Sequence, residues 1–481
     1  MHSNCFKDAF EFEIDTEKDG AGYRKTAIPF HLHKQSVHLT VLWGDGEESL
    51  LTPSMYTSES AKASEHEYAK PGRYRVIVGA SNTSWENVYI STLDCSDVDF
   101  ENSEGFNDKT ECIRLFKKTL VELPVPLPKF KGSWEFFMTN PSKWTDGIPV
   151  KDNLSYLFLH CASLEKICIG LFKNNRDTTC FAYTFYGCRS LQYLPEHLFR
   201  GCTKVQAYTY CFFGCSSLTC IPEDLFASSY KVKSFKGCFK DCSKIVGIPE
   251  KLFEGSPYAE LFTECFQNCT SIRSIPERLF AKNPSAISFS RTFENCSSIN
   301  EIPKDIFRNT KTATFFKAVF SKTSIRTIPP EIFSECRYAI TFAYAFAWCP
   351  FLESVSGRLF SKCTWIESFF GCFYGCINLK KVGRNLLCTS IFAKTLNSMF
   401  YGCHSLKNVE LDVPLRRLES VSLMFEASND ANRVVYVPKM SSTAKLFKMK
   451  KTELGVEIKD KLFIGSTFRA IMHSLDGKFK N

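Results

Sequence analysis

From Phe158 to Val409 the apolar positions recur every 27 residues, a period far longer than the 3.6 of a helix or the 2 of a strand. Phe239-Lys-Asp-Cys242-Ser-Lys-Ile245-Val-Gly-Ile248-Pro249-Glu-Lys-Leu252-Phe253 returns as Phe266-Gln-Asn-Cys269-Thr-Ser-Ile272-Arg-Ser-Ile275-Pro276-Glu-Arg-Leu279-Phe280, and about ten such copies follow one another. The cysteines fall at Cys161, Cys188, Cys215, Cys242, Cys269 and Cys296, then at Cys349, Cys376 and Cys403. Only one copy breaks step: 53 residues separate Cys296 from Cys349, with Lys322-Thr323 where a cysteine is due. A fixed period of this length predicts a solenoid, in which each copy buries its apolar face only against its neighbours.

Within a copy, Leu218-x-x-Ile221-Pro222 reads as a short extended segment, because the residue before proline is driven toward β geometry. Pro222-Glu-Asp-Leu-Phe226 suits one helical turn, with proline at its first position and acidic residues beside it. Val232-x-x-Phe235-x-x-x-Phe239-x-x-Cys242 spaces apolar residues by three and four, which predicts a second short helical or irregular segment.

Residues 1–88 carry a different pattern. Phe10-Glu-Phe-Glu-Ile14 and Val37-His-Leu-Thr-Val41 alternate with a period of two, as half-buried strands do. A Gly44-Asp45-Gly46 turn follows the second, and Pro71-Gly72 leads into a further alternating strand through Tyr74, Val76 and Val78. Residues 89–157 are less regular: Asp94 to Asp108 is acidic and loop-like, and Val121-Glu-Leu-Pro124-Val-Pro126-Leu-Pro128 is too rich in proline for a central strand. This stretch is expected to be a linker with a degenerate first coil, capping the repeats of 158–410 and joining them to the N-terminal module. Residues 411–481, with Val434-Val-Tyr-Val437-Pro438 and Ser441 to Phe447, are expected to close the far end as strand and helix.

Two resemblances sharpen this. The Trp43-Gly-Asp-Gly46 turn with His66-x-Tyr68-x-x-Pro71-Gly72-x-Tyr74-x-Val76 resembles PKD domains, immunoglobulin-like sandwiches common in extracellular and cell-envelope proteins. Asp45 is a turn-former in that family rather than a catalytic acid. The pattern Phe-x-x-Cys-x-Ser-Leu-x-x-Ile-Pro-x-x-Leu-Phe resembles the BspA-like leucine-rich repeats of bacterial surface proteins over about 158–410. Proline is missing from that pattern at Cys168, Ser356 and Gly383. The expected fold class is therefore mostly β with short helices: an immunoglobulin-like sandwich followed by a leucine-rich-repeat-type solenoid.

Composition changes the picture in two places. Phenylalanine is abundant at 45 residues, yet more than half stand in three repeat columns, so the excess is core. Phe185, Phe212, Phe239, Phe266 and Phe293, with Cys188, Cys215, Cys242, Cys269 and Cys296, are the expected structural centre. The 23 cysteines raise the question of metal or disulfide chemistry. A metal needs ligands converging on one point, whereas this ladder supplies one thiol per copy along a line. Side chains stacked in parallel also point alike rather than toward one another, so buried reduced thiols are the preferred reading over disulfides.

The net charge of +9 is spread over variable positions, and the one basic cluster, Lys439 to Lys461, reads as a solvated cap, so no nucleic-acid partner is expected. No apolar run is long enough to span a bilayer, and Met1-His-Ser-Asn-Cys5-Phe-Lys-Asp lacks the plan of a signal peptide. The nine histidines are scattered; His160, His197 and His404 fall at variable, solvated repeat positions. No nucleophile, zinc-protease or phosphate-loop motif occurs. No enzyme, cofactor or metal is expected.

What remains is recognition. Aromatics outside the core columns, namely Tyr186, Tyr193, Tyr210, Phe213, Trp348, Trp365, Tyr374 and Tyr401, are the candidate ligand-binding surface, since such rings stack and hydrogen-bond at low entropy cost. The resemblances imply adhesion to a surface glycan or protein at a bacterial surface or on a phage virion, without a signal peptide in this chain. The alternative is a decoration or fibre component that docks other subunits of a virion or cell-surface assembly.

Overall fold

The computed structural model describes residues 9–18, 24–28, 30–32, 38–51, 65–80, 88–90, 116–129, 132–133, 153–411, 418–425, 434–438 and 457–461, with Phe6 and Trp85 besides. It is β-rich and mostly non-helical, and among the described residues an α-helical turn is confined to 116–119. The chain divides into two compact units, Met1–Ile272 and Arg273–Asn481.

In the first unit, β1 (Ala9–Asp15), β2 (Lys25–Ala27), β3 (Phe30–Leu32), β4 (Leu39–Leu42), β5 (Glu48–Leu51), β6 (Glu65–Glu67), β7 (Arg73–Ala80) and β8 (Val88–Ile90) come first. They are followed by β9 (Leu120–Leu123), β10 (Gly132–Ser133) and β11 (Lys166–Ile167). The three alternating stretches of the sequence are strands β1, β4 and β7, and β1 buries Phe10, Phe12 and Ile14 while its glutamates face outward. The main sheet runs β11-β9-β1-β7-β4-β5, and smaller sheets join β10-β8-β3 and β2-β6. Trp43 and Tyr68 are wholly buried, and the Tyr68 hydroxyl donates to the Trp43 carbonyl at 3.0 Å.

One expectation is overturned. The proline-rich stretch does supply an interior strand: β9 pairs antiparallel with β1 (Ile14↔Leu120, Glu13↔Glu122) and parallel with β11 (Glu122↔Lys166, Leu123↔Ile167). Proline does not interfere, because the strand ends at Leu123, one residue before Pro124, so no proline amide is asked to donate. Beyond it, Leu127 N donates to Leu171 O at 2.9 Å, and the Asn175 side chain donates to Pro128 O at 2.9 Å. The same sheet thus holds the N-terminal strands and the first repeat copy. Lys18 and Arg73 both pair with Glu165 across that join.

From Asn153 the copies stack in parallel, bridged at Asn153↔Cys180↔Ala207↔Ser234↔Leu261. The Phe158, Phe185, Phe212, Phe239 and Phe266 rings lie face to face with centroids 5.4–5.6 Å apart. In the second unit the bridges run Ser288↔Phe315↔Thr341↔Ser368↔Thr395↔Ser420, and Phe293, Phe320, Phe346, Phe373, Phe400 and Phe425 stack at 5.5–5.9 Å. All ten residues of the expected structural centre are wholly buried.

The segment expected to be helical or irregular is neither helix nor strand. Phe181, Tyr183, Phe185 and Gly187 donate their amides to Ala207, Thr209, Cys211 and Phe213 of the next copy, at 2.7–3.1 Å. The intervening amides of Thr184, Tyr186 and Cys188 instead close i→i−3 turns at 3.2–3.4 Å. Sending alternate amides outward prevents the i→i−4 ladder of a helix. It also puts two residues per copy in the left-handed region, such as Tyr183 (φ 56°) and Gly187 (φ 72°). Pro222 to Phe226 likewise forms an i→i−3 turn, with Leu225 N on Pro222 O at 3.2 Å.

Proline decides where the extended segment becomes a strand. β11, β12 (Ser354–Val355), β13 (Lys381–Val382) and β14 (Asn408–Glu410) occupy the same place in their copies, and none is followed by the usual proline. Cys168 and Gly383 stand there instead, and their amides donate to Leu123 O at 2.9 Å and Val355 O at 2.8 Å. Proline has no amide to give, so in the other copies the ladder stops short. At the far end β15 (Val434–Pro438) lies between β14 and β16 (Glu457–Lys461), all parallel, which places the expected closing strand. Ser441 to Phe447, Asp94 to Asp108 and all of the basic cluster but Lys459 and Lys461 lie outside the described residues.

Candidate functional site

The cysteine ladder has a structural role that its spacing does not announce. The thiols of Cys188, Cys215 and Cys242 donate to the carbonyls of Phe158, Phe185 and Phe212 in the preceding copy at 3.0–3.2 Å. Cys376 and Cys403 do the same to Phe346 and Phe373 at 3.1 Å. Where Thr323 replaces cysteine, its hydroxyl turns back to Phe320 O of its own copy at 2.8 Å. Burial pushes the Cys161 thiol up to about 12 and Cys188, Cys238 and Cys265 well above the ordinary thiol value. None of the twenty described cysteines is in a disulfide, and among them only Cys220 is exposed. Of these twenty, native protein treated with iodoacetamide should therefore label Cys220 first, as read by peptide mass spectrometry, with the ladder labelled only after unfolding. Rapid labelling of Cys215 or Cys242 would show that the copies do not pack as described.

Among the described residues no group of three His, Cys, Asp or Glu is placed to hold a metal ion. Asp45 caps its turn by accepting the Glu47 amide at 3.1 Å and meets His66 Nε2 at 2.6 Å. Burial raises its pKa, but the bonds from His66 and Glu47 prevail and hold the carboxyl below the usual carboxylate range. His197 pairs with Asp224, and His404 is exposed. His160 corrects the expectation of a solvated side chain. It is half-buried, edge-on to Tyr186 at 5.1 Å, and burial followed by the charges of Lys117 and Arg189 pushes it down to about 4.

The candidate aromatics do not form one patch. In the first unit Tyr186 lies flat on Phe213 with centroids 4.3 Å apart, and Tyr210 stands beside Phe213 at 5.8 Å. The spacing also brings in two rings that the sequence reading passed over, since Tyr156, Tyr183 and Tyr210 follow at 27-residue steps with centroids 5.0–5.3 Å apart. The strip ends in charge: Lys240 sits 5.8 Å from the Phe213 ring and Lys236 6.0 Å from Tyr210. Glu264 accepts from both the Tyr210 hydroxyl (3.1 Å) and Lys240 (2.9 Å).

In the second unit Trp348, Tyr374 and Tyr401 gather, with centroids of 5.0 Å for the first pair and 4.7 Å for the second. Tyr344 and Phe370, also unanticipated, complete this group at 5.2 Å from each other, and Lys322 lies 5.4 Å from the Trp348 ring. Burial, then the neighbouring Tyr401 and Tyr344, push the Tyr374 phenol up, so it stays a neutral donor. Tyr193, 62% exposed, and Trp365, stacked on Phe392 at 4.8 Å, join neither group.

Two features seat these rings. Tyr183, Tyr210, Tyr344 and Trp348 all have positive φ, the conformation that sends their amides to the next copy and their side chains outward. The next copy then offers glycine beneath the ring: a Cβ on Gly237 would stand 2.1 Å from Tyr210, and one on Gly371 2.5 Å from Tyr344. The 27-residue step would have found Tyr156, Tyr183 and Tyr344, had the aromatic columns been aligned as the core columns were. Comparison with protein-family models finds no match, and comparison with curated proteins finds none either.

Proposed function

We propose that this chain is a non-enzymatic recognition protein, an immunoglobulin-like N-terminal module carrying a leucine-rich-repeat-type solenoid, and that its aromatic strips bind a surface glycan or protein ligand. The observation that carries the reading is the pair of strips, Tyr183-Tyr186-Tyr210-Phe213 and Tyr344-Trp348-Tyr374-Tyr401, each edged by lysine. Half-buried rings on a rigid stack lose little entropy on binding, and flanking lysines and phenols supply polar contacts. The sequence resemblances favour a site of action at a bacterial surface or on a virion. No described helix is long and apolar enough to cross a membrane.

The test is a glycan array and a surface-protein capture with the full chain, repeated with Tyr186→Ala/Phe213→Ala and Trp348→Ala/Tyr374→Ala. Central aromatic anchors each contribute ~2 kcal/mol or more, so at least one double variant should bind about 30-fold more weakly or worse. A ligand held equally well by both double variants would defeat the strip assignment. A chain that self-assembles yet captures neither glycan nor protein would instead be the decoration or fibre component.

A further inference from the structure

The one copy that falls out of step borders a notch. In every other copy two residues separate the ladder position from the next buried aliphatic, as in Cys296-Ser-Ser-Ile299 and Cys349-Pro-Phe-Leu352. The 26-residue copy has one, Thr323-Ser324-Ile325, so the bend made by Ser297 and Ser298 has no counterpart and Ser324 runs straight. Ser324 is drawn inward, its amide on Ile299 O at 2.9 Å and its hydroxyl on Ser297 O at 2.6 Å. Ser324, Ser297 and Ser298, the residues on either side of that missing position, line a cavity of about 430 Å³.

Its walls are basic and hydroxylated. Arg273 and Arg326 line it with Asn300, Ser297, Ser298 and Ser324, and Phe351 closes one side. The Arg326 guanidinium sits 5.4 Å from the Phe351 ring, which fixes its direction. No Asp or Glu lines the cavity among the described residues, and Glu353, which follows Asn300 and Arg326 in the same column, is paired with Lys380 at 3.3 Å. Two guanidinium groups without a carboxylate suit an anion held by bidentate hydrogen bonds. Serine hydroxyls and an amide suit a polyhydroxylated body, and the volume lies within the ~300–1,000 Å³ common for small-molecule sites.

We propose that this notch binds an acidic sugar residue, its carboxylate or sulfate held by Arg273 and Arg326 and its hydroxyls by Asn300 and the serines. No residue of the aromatic strips lines the notch, so ligand binding there is independent of them. The test is isothermal titration of the full chain with tetragalacturonate, with a heparin-derived tetrasaccharide and with neutral cellotetraose. Saturable binding of either acidic probe, but not of cellotetraose, is expected; binding of tetragalacturonate assigns a carboxylate, and binding of the heparin fragment, which carries both groups, without binding of tetragalacturonate assigns a sulfate. Arg273→Ala and Arg326→Ala should each weaken it tenfold or more, and both are exposed positions whose variants should melt as the parent does. Inserting one serine after Ser324 restores the 27-residue step and should abolish binding with both arginines in place. Trp348→Ala/Tyr374→Ala should leave it unchanged. The proposal is overturned if neither acidic probe binds, if binding survives both arginine variants, or if a single-stranded DNA oligonucleotide competes as strongly as the sugars.

Discussion

Phe212→Ala should destabilise the first unit by about 3–5 kcal/mol, the cost of emptying a packed aromatic site. The ring touches both neighbouring copies, stacked at 5.4 Å on Phe185 and 5.5 Å on Phe239, with Phe199 at 6.1 Å. Nothing nearby can collapse into the gap, because the column above and below is held by amides at 2.8 and 2.9 Å and by Cys215 and Cys242 thiols. Deleting the whole copy from Arg189 to Cys215 should cost less than that single atom group would suggest. Phe185 then meets Phe239 and Cys188 meets Cys242, the same faces that meet in the parent, and stability falls by about one copy's share. Urea denaturation followed by circular dichroism compares the two. A deletion variant that fails to fold, beside a Phe212→Ala variant that melts like the parent, would mean that the copies do not stack as interchangeable layers.

The part of the fold that was legible in the sequence is the part written many times. Phe212 or Cys215 alone says little, but ten phenylalanines and nine cysteines in one register leave a buried column as the only consistent reading, and every one of the expected core residues is buried. The strands β1, β4 and β7 were legible for a similar reason, since their alternation matches a pleat with one face covered. What failed was whatever occurs once or is imposed by a neighbouring copy. Val121 to Pro128 reads as too rich in proline for a central strand, yet β9 ends at Leu123, and a strand needs amides only within its own span. The left-handed residues were invisible because Tyr, His and Glu do not advertise positive φ as glycine does; their conformation is imposed by the next copy's carbonyls. The notch was in view as a 53-residue interval, but a missing residue reads as irregularity until its neighbours are placed around it.

Glu122→Pro should break the join between the N-terminal sheet and the first repeat, whereas Glu122→Ala should scarcely matter. Val121 and Leu123 direct their carbonyls to β11, accepting from Glu165 at 2.8 Å and Cys168 at 2.9 Å. By strand alternation Glu122 then presents its own amide and carbonyl to β1, where it pairs with Glu13. Proline removes that donor and crowds the partner strand, and in a strand paired on both sides no shift to an edge is open to it. A loss on the order of 3 kcal/mol follows, near the upper end for single substitutions. Alanine keeps the backbone bonds and gives up the ion pair with Lys166, 3.8 Å long and exposed on the lysine side, which is worth about 0.2–1 kcal/mol. Hydrogen exchange distinguishes the two outcomes: in the proline variant the amides of β1 and of residues 165–168 should lose protection together. If the proline variant keeps that protection, or if alanine loses as much, then β9 does not carry the connection and the two parts are held by Lys18, Arg73 and Glu165 instead.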